Sequence, residues 1–93
     1  MNSATNDRFW RRYSALPAEV REQAREAYAL FASDPYHPSL HFKRVHSTRP
    51  VFSVRIGMHY RAVGNLDGSE VTWFWVGSHA DYDKLVQQLR TTH

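Results

Sequence analysis

The run from Glu70 to Leu85 joins a strand to a helix through a single glycine, and the rest of the chain has to be arranged around it. Val71, Thr72, Trp73, Phe74, Trp75 and Val76 carry side chains that suit a pleated surface. Alternation predicts Trp73 and Trp75 on one face and Phe74 and Val76 on the other. Both faces are then apolar, which is the pattern of a central strand covered on both sides. Gly77 breaks the strand and Ser78 reads as a helix N-cap, with Asp81 three residues on in the position of a capping-box carboxylate. Tyr82, Leu85, Val86 and Leu89 then recur at helical spacing.

This junction has a chemical consequence. His79 falls at the first helical position, where unpaired N–H groups and the positive end of the helix dipole collect. Such an end attracts anions, phosphate among them. It also disfavours an imidazolium and leaves a neutral ring available as a base. A solvated loop histidine fits the same pattern, so the junction alone does not assign a role.

At 93 residues there is room for one domain and one core. An aromatic content of 14% with three tryptophans supplies that core and argues against a disordered chain. The absence of cysteine excludes disulfides and thiolate metal sites and fits a reducing cytoplasm. No apolar run reaches the length of a membrane span, and the polar start Met1–Asp7 does not read as a signal peptide. A formal charge of +3 permits a polyanionic partner without requiring one.

Taken in order, residues 1–5 are expected to fray. Asn6 or Asp7 caps a short helix with Phe9, Trp10, Tyr13 and Leu16 on one side, while Arg8, Arg11 and Arg12 face away as a basic edge. Pro17 suits the first position of a second helix, in which Val20, Ala24, Ala27, Tyr28 and Phe31 form the apolar face up to about Ser33. Asp34-Pro35 and Pro38 end it. Four strand-like runs follow: Leu40–His46, Val51–Ile56, Tyr60–Asn65 and Val71–Val76. Their linkers are too short for crossover helices, and the last contains the hairpin signal Asp67-Gly68, so the sheet is expected to be mainly antiparallel. The fold class is α+β. Two N-terminal helices pack on a three- to four-stranded antiparallel sheet, and a C-terminal helix follows.

Polar residues interrupt the apolar pattern in the middle strands. Phe52, Val54 and Ile56 take the helix-covered face, whereas Ser53 and Arg55 look the other way. Arg61 shares a face with Val63. A three-residue turn at Gly57–His59 sets Arg55 opposite Arg61, and a two-residue turn splits them. The first register places like charges face to face, which costs stability unless an anion sits between them, and it is the preferred reading. Lys43 and Arg44 add cations beside the sheet. Together with His79 they form either a groove for a phosphodiester backbone or the ordinary wet face of a sheet. His37, His41, His46, His59 and His79 lack a tight paired spacing such as H-x-x-x-H in a predicted helix, and no metal or cofactor is expected. There is no nucleophile elbow, phosphate-binding glycine loop or paired-carboxylate signature.

From Phe9 to Leu89 the chain resembles the RelE/ParE superfamily of toxins from bacterial type II toxin–antitoxin systems. The likeness rests on Phe9-Trp10, Leu16-Pro17, Asp34-Pro35, His37-Pro38-Ser39-Leu40 and Lys43. It rests above all on Phe52-Ser53-Val54-Arg55-Ile56-Gly57 with Tyr60-Arg61, and on Trp73-Phe74-Trp75-Val76-Gly77-Ser78-His79 with Tyr82. The first β-strand usual in such toxins looks absent or very short.

The resemblance implies a cognate antitoxin that blocks the active groove, a toxin–antitoxin hetero-oligomer, and action in the bacterial cytoplasm. RelE-like members are metal-independent endoribonucleases that cut mRNA, typically on the ribosome. They use the ribose 2′-OH as nucleophile and leave a 2′,3′-cyclic phosphate. By position, the resemblance gives Arg61 the stabilisation of transition-state charge and His79 the acid or base role. Arg55 and Tyr82 complete the catalytic set, with Tyr82 equally at home in the core by its helical spacing. Lys43, Arg44 and His59 are the substrate-contacting positions. Two other readings stay open: a non-enzymatic ParE-like toxin that inhibits DNA gyrase, and a degenerate toxin fold that serves only as an antitoxin-binding partner.

Overall fold

The computed structural model describes residues 1–91, and its centre is a five-stranded sheet in the order β1-β5-β4-β3-β2. In chain order the elements are β1 (Asn2–Thr5), α1 (Asp7–Ser14), α2 (Ala18–Ser33), a 3₁₀ turn (Pro38–Leu40), β2 (Lys43–Arg44), β3 (Val51–Ile56), β4 (Tyr60–Asp67), β5 (Glu70–Ser78) and α3 (His79–Thr91). Strands β2 to β5 form an antiparallel meander, and β1 adds to β5 in parallel. The α+β class holds, but the sheet is mixed and has five strands.

Helix boundaries follow local chemistry. The Asn6 side-chain oxygen accepts the Phe9 N–H at 3.0 Å, and the Ser78 hydroxyl accepts the Asp81 N–H at 3.2 Å, so both expected caps form. Pro17 sits one position earlier than expected, as the N-cap of α2. The Asp67-Gly68 signal gives a tight β4–β5 hairpin with Asp67 opposite Glu70 and Gly68 at φ 62°.

The two faces of the sheet bury two clusters. On one, α1 and α2 cover Val54, Ile56, Ala62, Val71, Trp73 and Val76. On the other, Val51, Val63, Trp75, Tyr82 and Val86 pack beneath α3. Trp73 and Trp75 therefore face opposite ways, against simple alternation. The cause is a β-bulge: Val63 pairs with Trp75 and Gly64 with Trp73, which leaves Phe74 as an extra residue. Gly64 is required beside it, because an added Cβ would lie 2.7 Å from the Trp73 ring.

Two further expectations fail. Residues 2–5 do not fray but pair with Glu70–Trp73, helped by the Asn2 N–H to the Ser69 carbonyl at 2.8 Å and the Trp10 indole N–H to Thr5 Oγ1 at 2.8 Å. Nor does Leu40–His46 form one strand. The 3₁₀ turn is followed by His41 at φ 47°, and only Lys43 and Arg44 join the sheet. His46 is buried as a loop anchor: Nδ1 accepts the Thr48 and Arg49 amides at 3.1 and 2.9 Å, and Nε2 reaches the Leu89 carbonyl at 2.9 Å. It ties the start of the β2–β3 loop to the far end of α3.

Candidate functional site

The turn Gly57–His59 is the three-residue one, and Arg55 stands directly opposite Arg61. Gly57 adopts φ 57°, and its carbonyl accepts the Arg55 Nε–H at 2.8 Å, so the turn itself holds one of the two guanidinium groups. In an antiparallel ladder, residues directly opposite share a face. Lys43 opposes Ser53, so it lies on the same face as Ser53, Arg55 and Arg61, the face under α3.

Arg61 is the unusual member, since its side chain is only 5% exposed. Its Nη2 donates to Ser53 Oγ at 2.9 Å and to the His41 carbonyl at 3.2 Å, and its Nε has no hydrogen-bond partner among the described residues. Its guanidinium lies 5.0 Å from the centre of the Tyr82 ring. Burial lowers its pKa from the ordinary arginine value, Tyr82 opposes that shift, and the facing Arg55 adds to it. Among the described residues no carboxylate forms an ion pair with Arg61, Arg55 or Lys43. A buried cation facing a second cation, with an idle N–H, is a costly arrangement that a bound anion would complete.

The strand-to-helix junction closes one end of this face. The exposed His79 places Nδ1 3.4 Å from Asp83 Oδ2, and its ring meets the Tyr82 ring edge-on at 5.6 Å. A proton on Nδ1 directed at Asp83 leaves Nε2 as the free acceptor. The expected free amides at this helix end are largely taken. The His79 N–H donates to the His59 carbonyl at 2.7 Å and the Asp81 N–H to Ser78. Anion binding here must therefore rest on side chains. The same bond fixes the exposed His59 turn against the start of α3.

Of the residues singled out by sequence, Arg55, Arg61, Tyr82 and Lys43 share this face, and His79 and His59 border it at the junction. Tyr82 is both wall and neighbour: it is 5% exposed, and its hydroxyl meets Ser53 Oγ at 3.2 Å. Arg44 is not brought in. It opposes Phe52 on the α1–α2 face, and its Nε donates to the His46 and Arg49 carbonyls. Two partners escaped the sequence reading. Ser53, fully buried, links Arg61 to Tyr82, and its alternation with Arg55 was the available signal. Asp83 lies four residues after His79, one helical turn on.

A concavity of about 480 Å³ lies on the opposite face between α1, α2 and the sheet, lined by Phe9, Trp10, Tyr13, Tyr28, Phe31 and Trp73 among others. Its apolar lining suits a hydrophobic segment and offers no acid–base set. Among the described residues no group of three or more His, Asp or Glu side chains gathers as a metal site, and no helix is long and apolar enough to cross a membrane.

The fold is similar to that of known toxins. RelE in the RelB–RelE antitoxin–toxin complex of Methanococcus jannaschii superposes with a TM-score of 0.71 at 12% identity, over 88% of this chain and 96% of that one. A free-state variant of the E. coli toxin RelE matches at 0.67 and 17% identity, over 97% and 93% of the two chains. A YoeB/ParE toxin from Agrobacterium tumefaciens matches at 0.65 and 16%, over 85% and 99%. Among curated proteins no sequence matches the chain. The model of the ParE-like toxin domain matches residues 18–84, from the start of α2 into α3. On that match and that fold, the chain belongs to the ParE-like toxin domain family of RelE/ParE toxins.

Proposed function

We propose that this toxin is an endoribonuclease that cleaves mRNA through attack of a ribose 2′-OH on the adjacent phosphate. The observation that carries the reading is Arg61: a buried guanidinium with an unpartnered Nε, facing Arg55 and ion-paired with no carboxylate among the described residues. That is a site prepared for an anion. An oxyanion of a phosphodiester supplies the missing charge, and the need grows as the phosphorane forms.

In this mechanism the 2′ oxygen bonds to phosphorus while the bond to the 5′ oxygen of the next nucleotide breaks. His79, oriented through Nδ1 by Asp83, takes the 2′-OH proton at Nε2. The leaving 5′ oxygen needs a proton in return, a role we assign to His59, whose backbone is fixed to the same junction by its carbonyl's bond from the His79 N–H. Arg61 and Arg55 neutralise the equatorial oxygens. Ser53 and Tyr82 hold Arg61 in place, and Lys43 meets the substrate on the flanking strand. The products are a 2′,3′-cyclic phosphate and a 5′-hydroxyl.

The structure of M. jannaschii RelE with its antitoxin supports a cognate antitoxin as the partner of this chain. Cleavage on the ribosome follows from the RelE-like reading rather than from any feature of the site. The ParE-like family description favours a second reading, a non-enzymatic toxin acting on DNA gyrase. The Arg61–His79 constellation weighs against it, because a protein-binding toxin has no use for an acid–base group beside a buried cation.

Induced expression of the wild type and of His79→Ala in a bacterium, with primer extension on an abundant transcript, separates the two. New RNA ends with the wild type that vanish in the variant establish the ribonuclease. Growth arrest without new ends moves the target to gyrase.

A further inference from the structure

Arg8 and Arg12 of the basic edge of α1 do not face away from the sheet. Strand β1 stops opposite Trp73, so the outer edge of β5 beyond it is left for α1 to cover. There the Arg12 Nε–H donates to the Val76 carbonyl at 2.7 Å, and the guanidinium carbon lies over Trp75, 4.6 Å from the ring centre. Its Nη2 reaches over Gly77: a Cβ at that position would lie 2.8 Å from it. Gly77 is the cross-strand partner of Arg61, which is the partner of Arg55. Gly77 does not break the strand as expected, since β5 runs on to Ser78; its missing side chain instead leaves space above it for a cation carried by another element.

The result is a row on one face: Arg55 on β3, Arg61 on β4, and Arg12 lying over β5. Adjacent strands are ~4.8 Å apart, so the row extends over ~10 Å at backbone level. One turn earlier on α1, ~6 Å along its axis, Arg8 sits over the Phe74 ring at 5.8 Å and continues the line along the sheet edge. Among the described residues Arg12 pairs with one carboxylate, Asp81, at a long 4.0 Å, and both side chains are partly exposed, so this pair is weak and easily exchanged.

We propose that Arg12 is a phosphate-contacting residue that binds the backbone one nucleotide along from the phosphate held by Arg61, with Arg8 continuing the track for single-stranded RNA. This rests on the ribonuclease reading and extends it: the single strand crosses the sheet from β3 towards α1, and the lack of a side chain at Gly77 opens that path. A purely structural Arg12, capping the Val76 carbonyl and covering Trp75, is the competing explanation.

The test is the salt dependence of binding to a short 2′-O-methyl oligoribonucleotide, which lacks the 2′-OH nucleophile, followed by fluorescence anisotropy on the full chain. Removing one cation from a single-strand phosphate should reduce the slope of log K against log salt by ~0.7. Arg12→Gln is expected to show about that reduction, and Arg12→Lys, which keeps the charge without the planar fork, to retain the wild-type slope. Asp81→Asn should bind more tightly. Thermal melts run in parallel distinguish the structural role: equal loss of stability in the Gln and Lys variants with unchanged slopes overturns the inference and leaves the ribonuclease reading intact. Wild-type protein that fails to bind the oligonucleotide at any salt overturns the inference, and it overturns the ribonuclease reading as well when the same protein cuts no mRNA on ribosomes.

Discussion

Replacing Arg61 by methionine should leave the protein about as stable as the wild type while removing its activity. The substitution deletes two hydrogen bonds from a charged donor, to Ser53 Oγ and the His41 carbonyl, worth ~1.5–3 kcal/mol each. Against this, it removes an unpartnered buried N–H that costs ~1–3 kcal/mol and buries an apolar side chain worth ~1.5–3 kcal/mol. It also relieves the opposition of Arg55 across the ladder, a further ~0.2–1 kcal/mol. The orphaned Ser53 hydroxyl keeps Tyr82 as a partner. Gains and losses are of the same size, and the net change should fall within ~2 kcal/mol of zero. For a domain of this size that is a Tm change of less than ~16 °C in either direction, where loss of a needed buried ion pair costs ~3–5 kcal/mol. Wild-type protein should gain Tm with added phosphate or sulfate, since an anion binding only the folded state stabilises it by mass action. The methionine variant should not. A differential scan with and without phosphate is the assay. A collapse of the variant, or an equal anion response in both proteins, would refute the view of Arg61 as an anion receptor built at the expense of stability.

Other substitutions separate chemistry from packing. His79→Ala should lower RNA cleavage by ~10²–10⁴-fold with little change in Tm, because the ring is exposed; Asp83→Asn, which only loosens its orientation, should cost less. Tyr82→Phe removes the hydroxyl that meets Ser53 and should cost ~1 kcal/mol, with a smaller effect on cleavage than His79→Ala if Tyr82 acts by holding Arg61. Trp75→Ala should lose function through unfolding, at ~3–5 kcal/mol, since the ring is 4% exposed and covered by Arg12; a stable, inactive variant would contradict this.

Features set by neighbouring residues were legible in the sequence. The bounds of β3, the caps at Asn6 and Ser78, and the facing of Arg55 and Arg61 each follow from a turn, a glycine or a cap within a few positions. Features set by distant partners were not. Asn2–Thr5 is too polar to read as a strand, and its partner β5 lies at the other end of the chain. The bulge at Phe74 is invisible to periodicity because every residue from Trp73 to Val76 is apolar, so a slip between faces leaves the pattern unchanged. Arg44 parts from Lys43 because adjacent residues alternate faces even in a two-residue strand, and the short strand's start is set by the turn at His41 rather than by its own pattern. Arg12 read as a solvated residue because its place over Gly77 depends on where β1 stops.

The central claim is that Arg61 and His79 act together on an RNA phosphodiester. Its most direct test uses purified protein, with and without ribosomes, on two copies of one mRNA. One copy is all-ribose, and the other carries a single 2′-deoxynucleotide at the mapped cut. The prediction is cleavage of the first with a 2′,3′-cyclic phosphate and a 5′-hydroxyl at the new ends, and no cleavage at that position in the second. Cutting that survives the deoxy substitution would contradict 2′-OH attack, and folded protein that cuts neither copy would contradict the ribonuclease itself.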